Sequence, residues 1–187
     1  MINGNPFKLL IAQGDQRKFR QLMELTADEL LLFAIGFVKQ KEIAEEIVSD
    51  VYVKIWRNRA EITKINSLKS YLFICVRNGC LSHLRKEKGD KTISLDSLGD
   101  YHFLPVTDSD HSQIEKETIE KIYNAIEILP PKCKLAFTLA KINGMKYREI
   151  AEVMEVSEKT VNNHLVNAVQ KITECLNIGK KTKSTEF

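Results

Sequence analysis

The sequence predicts an all-α protein built of two small helical domains. Apolar residues recur at helical spacing on both sides of a central polar segment, and no hairpin between alternating strands interrupts them. The 187 residues suffice for one ordinary domain or two small ones. With 43% apolar and 28% charged residues, the composition is typical of a soluble globular protein and not of a disordered chain.

Membrane-spanning and secreted proteins are not expected from this sequence. No apolar run approaches the roughly 18–20 residues that a spanning helix needs. No signal peptide begins the chain. We therefore expect a cytoplasmic protein that is not itself inserted in a membrane.

The charge distribution separates the chain into three segments. Residues 1–86 hold 14 basic and 9 acidic side chains, residues 87–112 hold 2 and 6, and residues 113–187 hold 12 and 10. Within the acidic segment, glycine, proline, aspartate and serine break the helical period over residues 89–112, which we interpret as a flexible linker. A long ordered loop is the alternative, because four apolar side chains there could dock on a domain: Leu95, Leu98, Phe103 and Leu104.

The N-terminal block predicts a bundle of amphipathic helices. Gly14 and Asp15 mark the start of a helix that reaches Val38. From Lys41 to Trp56 the apolar residues form one stripe of a second helix. These two segments provide the first half of the expected bundle.

A further helix of this block begins at Asn66 or Ser67, either of which can act as its N-cap. Its apolar stripe continues to Leu84 and has Gly79 inside it. Glycine costs about 1 kcal/mol relative to alanine inside a helix. Gly79 therefore predicts a close packing contact or a bend at this position.

The C-terminal block predicts a helix-turn-helix. After prolines at 130 and 131, a helix runs from about 132 to 142 and ends at Asn143–Gly144. A short helix at Tyr147–Met154 is followed by a tight turn and a second helix with Ser157 as N-cap. The stripe expected to be buried in the second helix consists of Val161, Leu165, Val169, Ile172 and Leu176.

The polar face of this second helix indicates DNA binding. A helix-turn-helix places its second helix in the major groove, where Asn and Lys can read the base edges. The alternative is a plain helical hairpin with a solvated face. The inward Val156 in the turn, flanked by Ala151 and Val161, favours the DNA-binding arrangement.

Two groups of motifs give the sequence a family resemblance. In the N-terminal block they are Ala44–Tyr52, Lys54–Trp56, Tyr71–Phe73, Val76–Asn78 and Leu84–Lys86. In the C-terminal block they are Ala125–Pro130, Lys146–Glu152 and Val156–Val161. In this order, on either side of a linker, they resemble the extracytoplasmic-function (ECF) sigma factors, which are two-domain initiation factors of bacterial RNA polymerase.

The resemblance implies a domain plan and a set of partners. Residues 1–12 would be an N-terminal tail, 13–88 sigma region 2, 113–176 sigma region 4, and 177–187 a C-terminal tail. Region 2 would dock on core RNA polymerase and open the minus-ten element of the promoter DNA. Region 4 would read the minus-thirty-five element and bind the polymerase flap. The resemblance also implies an anti-sigma factor, membrane-anchored or not, and a monomer when the protein is unbound.

Candidate residues of region 2 follow from the same resemblance. Carboxylates and a tryptophan on the helix that matches the polymerase-docking helix suit a basic, partly apolar partner surface; a core role for the tryptophan is the alternative. Asn78 matches the position beside which a non-template base is captured, and the neighbouring basic residues would contact phosphates. The polymerase-binding candidates are Glu46, Asp50 and Trp56. The minus-ten candidates are Arg77, Asn78, Arg85, Lys86 and Lys88.

Candidate residues of region 4 lie mainly on its second helix. Arg148 and Lys171 are expected to contact phosphates, which adds affinity without sequence information. Three or four of six residues are expected to contact DNA bases: Lys159, Thr160, Asn162, Asn163, His164 and Asn167.

Two positions depart from the family pattern. Many relatives have an acidic residue where this chain has Ser82, and an arginine where it has Asn163-His164. The promoter preference of the relatives therefore does not transfer to this chain.

Neither a cofactor nor an enzymatic activity is expected. The sequence lacks a phosphate-binding loop, a nucleophile elbow and an HExxH motif. A zinc site using His83 or His164 is an alternative role for those side chains. The cysteines show no CxxC spacing and are expected to be small buried hydrophobes of a reduced protein: Cys75, Cys80, Cys133 and Cys175.

Two functions of other classes fit parts of the sequence. A sigma mimic would keep the fold and sequester an anti-sigma factor without reading DNA. The polar groups of Lys159, Asn162 and Asn163, and the lack of room for a receiver domain, favour the initiation factor. A dimeric repressor would leave residues 13–88 unexplained.

Overall fold

The structure of the chain, a computed structural model, describes residues 3–89, 93, 101–102 and 121–182. Within these ranges every regular element is helical, in agreement with the predicted all-α class. None of the described helices is both long and apolar enough to cross a membrane. The backbone divides into two compact units, Met1–Leu98 with Glu152–Glu155 and Gly99–Ala151 with Val156–Phe187.

The first unit is a helical bundle whose largest contacts are made by its second helix. Its helices are α1 (Asn5–Ala12), α2 (Gln16–Val38), α3 (Lys41–Arg57) and α4 (Leu68–Lys88), with a 3-10 helix at Arg59–Lys64. α2 packs on α3 and α4, α3 packs on α4, and α1 packs on the 3-10 helix and α2. This arrangement leaves α3 with a groove on each side.

α2 begins where the sequence predicts, and the Ser67 cap predicted for α4 is confirmed. Asp15 Oδ1 accepts hydrogen bonds from the backbone N–H groups of Arg17 (2.9 Å) and Lys18 (3.1 Å). Ser67 Oγ accepts from the backbone N–H of Ser70 at 3.2 Å. Each cap satisfies backbone donors that have no partner inside the helix.

The N-terminal residues differ from the predicted tail, because Asn5–Ala12 form a helix that is part of the first unit. The buried Lys8 donates from Nζ to the carbonyl of Ile65 at 2.7 Å. Asn3 Oδ1 accepts from the backbone N–H of Leu68 at 2.8 Å. α1 therefore stabilises the connection between α3 and α4, which no local pattern in residues 1–12 indicates.

Gly79 is a position of close approach between α3 and α4. A Cβ atom added at Gly79 would lie 2.7 Å from Cγ2 of Ile47, which is shorter than real carbon–carbon contacts. The predicted close packing contact is confirmed. The absent side chain brings Asn78, the neighbouring residue, next to α3.

The second unit packs its last helix against the helix that begins at the proline pair. Its described helices are α5 (121–127), α6 (Pro131–Phe137) with a π-helical continuation at Thr138–Ile142, α7 (Tyr147–Met154) and α8 (Glu158–Thr182). α6 packs on α8. α8 extends past residue 176, so part of the predicted C-terminal tail is helical. One core cluster consists of Ile126, Leu129, Cys133 and Ala168, with Tyr123, Phe137 and Ile172 packed against it.

The helix-turn-helix is formed by α7, a turn and α8. Gly144 has a φ of 62°, as expected for the left-handed residue that follows a helix. Ser157 Oγ accepts from the backbone N–H of Thr160 at 3.0 Å, which confirms the predicted cap. Glu155 in the turn has a φ of 55°, a conformation that costs a non-glycine residue about 1 kcal/mol.

One prediction for α8 is wrong. Val169 is 49% exposed, and Ala168 is fully buried in its place. The buried stripe advances from Leu165 by three residues instead of four before it reaches Ile172. Both steps are helical, so the sequence period alone did not distinguish them.

The predicted linker is described at only four positions: Gly89, which ends α4, and Ile93, Tyr101 and His102. Ile93 is 9% exposed and Tyr101 is 2% exposed, while His102 Nδ1 lies 3.8 Å from the carboxylate of Glu127. The four apolar residues named as docking candidates, Leu95, Leu98, Phe103 and Leu104, lie outside the described residues.

Candidate functional site

The first candidate site is an apolar groove between α2 and α3, which we call the α2–α3 groove. Its volume is about 450 Å³, and apolar and aromatic side chains dominate its lining. Met23 and Val53 contribute partly exposed side chains, 37% and 44% respectively. It is lined by Phe19, Met23, Ala27, Asp28, Leu31, Glu45, Val48, Ser49, Tyr52, Val53, Trp56 and Arg57.

Trp56 is an aromatic part of the lining of the α2–α3 groove. Its ring lies 4.9 Å from the ring of Phe19, and the guanidinium of Arg59 lies 4.9 Å from the Trp56 ring centroid. Arg59 Nη1 also donates to the Trp56 carbonyl at 3.1 Å. Trp56 is half-buried, so it combines part of the core role with an accessible aromatic surface.

Tyr52 forms part of the groove floor. Its hydroxyl and Oγ1 of Thr26 are 2.7 Å apart in a buried hydrogen bond. Burial raises the pKa of Tyr52 above its ordinary value, and the Thr26 hydrogen bond offsets part of that rise. The Tyr52 hydroxyl therefore stays protonated at neutral pH.

The second candidate site lies on the opposite side of α3, and we call it the α3–α4 groove. Its volume is about 430 Å³, and its lining mixes charged, polar and apolar groups. Glu46 and Asp50 stand on the α3 side, and Asn78 and Lys86 stand on the α4 side. The remaining lining residues are Ile43, Ile47, Val51, Lys54, Cys75, Gly79, Ser82 and His83.

The two grooves divide the residues predicted to bind polymerase. Trp56 lines the α2–α3 groove, while Glu46 and Asp50 line the α3–α4 groove. Ser49 and Val53 lie between them on the exposed side of α3. The predicted polymerase contacts therefore border one continuous outer ridge of α3.

The orientation of the Asn78 amide is set by its neighbour. Arg77 donates to Asn78 Oδ1 from Nε at 3.1 Å and from Nη2 at 2.7 Å. Because a guanidinium has only donors, the Asn78 atom that faces it must be the carbonyl oxygen. The exposed Asn78 side chain then has its NH₂ group on the other side, as a donor for a ligand acceptor.

The basic end of α4 contains three further candidates, Arg85, Lys86 and Lys88, all of them exposed. Arg85 Nε donates to the backbone carbonyl of Ile93 at 2.6 Å. Positive side chains at a helix C-terminus also interact favourably with the helix dipole. The charge at this end therefore has a structural contribution in addition to any ligand contact.

Most predicted DNA contacts of the second unit lie on the exposed surface of α8 and at the start of α7. The candidates Lys159, Asn162, Asn163, Asn167 and Lys171 are exposed. Thr160 is half-buried, and its Oγ1 lies 2.8 Å from Ser157 Oγ. Arg148 is exposed near the start of α7.

His164 lies at the margin of this surface. Its Nδ1 is 3.7 Å from Cys133 Sγ, so part of the ring faces the core of the second unit. Burial lowers the pKa of His164, and the positive charge of Lys132 lowers it further. The imidazole is therefore neutral at neutral pH and contributes no fixed charge to the surface.

Sequence reasoning missed two side chains on the outer surface of α8. Val166 is 56% exposed, and Gln170 is exposed and donates to Glu174 at 3.0 Å. At 100° per residue, Gln170 projects between Lys159 and Asn163 on the face opposite Val161, and Val166 projects beside Lys159 on the same face. The only signal for Val166 was its place one turn after Asn162 and Asn163 on an otherwise polar face.

Burial favours the thiol form of three cysteines. Desolvation raises the pKa of Cys80 to about 12 and also raises the pKa values of Cys75 and Cys133. All four cysteines are free; Cys80 and Cys133 are buried as predicted, whereas Cys75 and Cys175 are half-buried. Across the described residues, no three His, Cys, Asp or Glu side chains form a group that could hold a metal ion.

Family models match both units. The model for sigma-70 region 2 matches residues 22–89, and the model for sigma-70 region 4 matches residues 119–172. The chain is 24% identical to the ECF RNA polymerase sigma factor SigM of Bacillus subtilis, covering 85% of this chain and 95% of SigM. It is 21% identical to the RNA polymerase sigma-H factor of Pseudomonas aeruginosa, covering 89% of this chain and 90% of that protein.

Two solved structures have a similar fold. RpoE of Bartonella quintana, solved with the anti-sigma factor NepR, superposes with a TM-score of 0.63 at 21% identity, covering 87% of this chain and 98% of that chain. CnrH, solved with the cytosolic domain of CnrY, gives a TM-score of 0.60 at 18% identity, covering 93% and 97%.

A helical bundle with grooves on both sides of one helix, followed by a helix-turn-helix unit, defines a sigma-type transcription initiation factor. The region 2 and region 4 matches occur in the family order and on the expected units. The chain belongs to the sigma-70 family, within which it is an ECF sigma factor that directs RNA polymerase to promoters.

Proposed function

We propose that the protein captures a promoter at two points while it is bound to core RNA polymerase. The observation that carries the proposal is the polar outer face of α8, which occurs in the same chain as Asn78 and the basic end of α4. Region 4 then binds duplex DNA, and region 2 holds the opened strand. The linker spans the polymerase between these two contacts.

Polymerase docks across the outer ridge of α3. An apolar side chain of the partner enters the α2–α3 groove beside Trp56, where it buries the exposed parts of Met23 and Val53. Basic groups of the partner meet Glu46 and Asp50 on the other border of the ridge. This assignment keeps all three predicted residues in one interface.

Asn78 reads an extruded base through its NH₂ group. Because Arg77 binds Oδ1, the amide offers donors to the base and selects an acceptor on the exposed base edge. Arg85, Lys86 and Lys88 contact backbone phosphates nearby, which adds affinity without sequence information.

α8 reads the upstream element with Lys159, Asn163 and Val166 at the centre of its outer face. The two polar side chains hydrogen-bond to base edges, and the valine contacts a thymine methyl group. Asn162 and Asn167 border this centre. His164 and Thr160 are half-buried beside this surface, and Lys171 contacts the phosphate backbone.

Regulation is expected to use an anti-sigma factor. The structurally similar RpoE and CnrH were solved with NepR and CnrY respectively. A partner that covers the α3 ridge would exclude polymerase, whether or not it is anchored in a membrane. We also propose that the unbound protein is a monomer and that it works in the cytoplasm, where core polymerase is found.

Run-off transcription with the cognate core polymerase tests the function. We expect defined transcript starts at genomic promoters, dependent on the protein. Lys159→Ala should weaken binding of the upstream element by about 1–3 kcal/mol if it contacts a base. Lys121→Ala, an exposed lysine of α5 outside the proposed surface, is the matched control. Polymerase binding with no transcript start at any promoter would favour the sigma mimic.

Asn78→Ala and Asn163→Ala form a pair that separates the two DNA contacts. Asn78→Ala should impair promoter opening, measured by permanganate reactivity, and leave duplex binding of the upstream element unchanged. Asn163→Ala should weaken that duplex binding. Equal loss of both properties in the Asn78→Ala holoenzyme would refute its assigned role.

A further inference from the structure

The backbone carbonyl of Ile93 binds Arg85, an arginine that the proposed function gives as a phosphate contact. Arg85 Nε donates to this carbonyl at 2.6 Å. The contact is charge-assisted, and such hydrogen bonds are stronger than neutral ones. Ile93 is only 9% exposed, so burial of its own side chain anchors the residue that supplies the carbonyl.

The contact occupies Nε of Arg85, one of the donors that an arginine uses to bind a phosphate. Arginine binds a phosphate with two parallel N–H groups, and one of its two binding edges consists of Nε and the adjacent Nη. With Nε on the Ile93 carbonyl, this edge of Arg85 cannot form the bidentate contact. The Lys86 and Lys88 ammonium groups have no such edge, so the effect is specific to Arg85.

We propose that the Ile93 carbonyl, at the start of the linker, is a tie that competes with promoter DNA for the Nε edge of Arg85. The proposal rests on the phosphate role assigned to Arg85 under the proposed function. A phosphate and the Ile93 carbonyl compete for one edge of the same guanidinium. Linkage is reciprocal: release of Ile93 strengthens DNA binding, and DNA binding loosens Ile93.

The contact with Arg85 lies where the chain leaves region 2 for the linker. Gly89, with a φ of 63°, ends α4 four residues before Ile93. Ile93 therefore belongs to the segment that follows region 2 and leads toward region 4. Capture of the opened strand at Arg85 would release this segment at the moment when the linker has to span the polymerase.

The test uses the full chain and a fluorescein-labelled single-stranded DNA of mixed sequence at low salt. Phosphate contacts are independent of sequence, so no promoter needs to be known. Ile93→Ala weakens the anchor and should tighten DNA binding about three- to tenfold in fluorescence anisotropy. In the Arg85→Ala background, Ile93→Ala should have no effect. Ile93→Val, which keeps most of the anchor, should bind as the unmodified protein does.

The outcomes separate the tie from the phosphate contact. If Arg85→Ala weakens binding but Ile93→Ala does not change it, the tie is overturned and the phosphate role stands. If Arg85→Ala has no effect, the phosphate role fails and the tie fails with it. Tighter binding in Ile93→Ala that persists in the Arg85→Ala background also overturns the tie.

Discussion

The two grooves that flank α3 have nearly the same volume, about 450 Å³ and about 430 Å³, but different chemistry. The α2–α3 groove is apolar and aromatic, and Trp56 is part of its lining. The α3–α4 groove combines Glu46 and Asp50 with Asn78 and Lys86. The two grooves therefore differ in lining and not in size, and under the proposed function the first takes an apolar side chain of polymerase while the second joins acidic polymerase contacts to Asn78.

The difference follows from the side chains that line the two grooves. Phe19 and Tyr52 give the α2–α3 groove its aromatic lining. α3 and α4 approach until Gly79 meets Ile47, and their polar residues then stand at the rim. One helix, α3, thus presents a docking ridge with two unlike borders.

The largest expected effect is on the apolar groove. Met23→Asp places a carboxylate where the partner's apolar side chain should be buried, and an unpaired buried charge costs several kcal/mol. We expect core polymerase affinity to fall by about tenfold or more. Leu25→Asp adds the same charge on α2 at a position that is 56% exposed and outside the groove. Equal losses in the two variants, by competition binding, would remove the groove from the interface.

The next effect concerns the packing that shapes the polar groove. Gly79→Ala forces a methyl group into Ile47, and overpacking costs about 1–3 kcal/mol; the higher helix propensity of alanine offsets about 1 kcal/mol. The free energy of unfolding should fall, as measured by urea denaturation. Ile47→Ala in the same chain removes the clashing Cγ2 atom and should make the Gly79→Ala change favourable. A stabilising Gly79→Ala in the unmodified background would contradict the close contact.

A smaller effect is expected at the acidic border of the ridge. Asp50→Asn should slow association with core polymerase a few-fold at low salt and have little effect at high salt, because exposed charges mainly steer association. Glu42→Gln removes one negative charge from the first turn of the same helix, outside both grooves. Stopped-flow association rates at two salt concentrations compare the variants. If Asp50→Asn and Glu42→Gln slow association equally, Asp50 acts only through the net charge of the protein and not through its position at the ridge.

The smallest effect is on pH dependence. Burial and Lys132 lower the pKa of His164 below its ordinary value of 6.5, so the unfolded chain binds a proton more readily than the folded unit does. His164 therefore favours unfolding as the pH falls through and below 6.5, and this destabilisation is absent at higher pH. Between about pH 7.5 and about pH 5.5, on either side of the ordinary histidine pKa of about 6.5, His164→Gln should lose less stability than the unmodified protein does. Thermal melts at the two pH values measure this difference. An unchanged pH profile would contradict the inward placement of the ring.

Much of the helical framework could be predicted from the sequence, because caps and apolar periods are local properties. Asp15 and Ser67 accept the expected cap hydrogen bonds, and Gly79 lies at a close helix contact. α1 was missed because its stability depends on distant groups, such as the Ile65 carbonyl that binds Lys8. Packing of α8 against α6 likewise determines that Ala168 is buried and Val169 is exposed.

The candidate site was predictable as a set of residues but not as an arrangement. Helical spacing does not reveal that Trp56 and Asp50 border different grooves. It also does not show that Arg77 turns toward Asn78 or that Arg85 binds Ile93. These features depend on side-chain direction and on contacts between separate segments, which a single sequence does not specify.

The central proposal is that the outer ridge of α3 binds polymerase, whereas Asn78 on α4 serves promoter opening. Val53→Asp and Asn78→Ala, each measured for core polymerase affinity and for permanganate reactivity at saturating polymerase, test it most directly. We predict that Val53→Asp loses polymerase affinity but opens the promoter once the holoenzyme is assembled, and that Asn78→Ala binds polymerase normally but fails to open. If both variants lose both properties together, or if Asn78→Ala opens the promoter normally, the claim is contradicted.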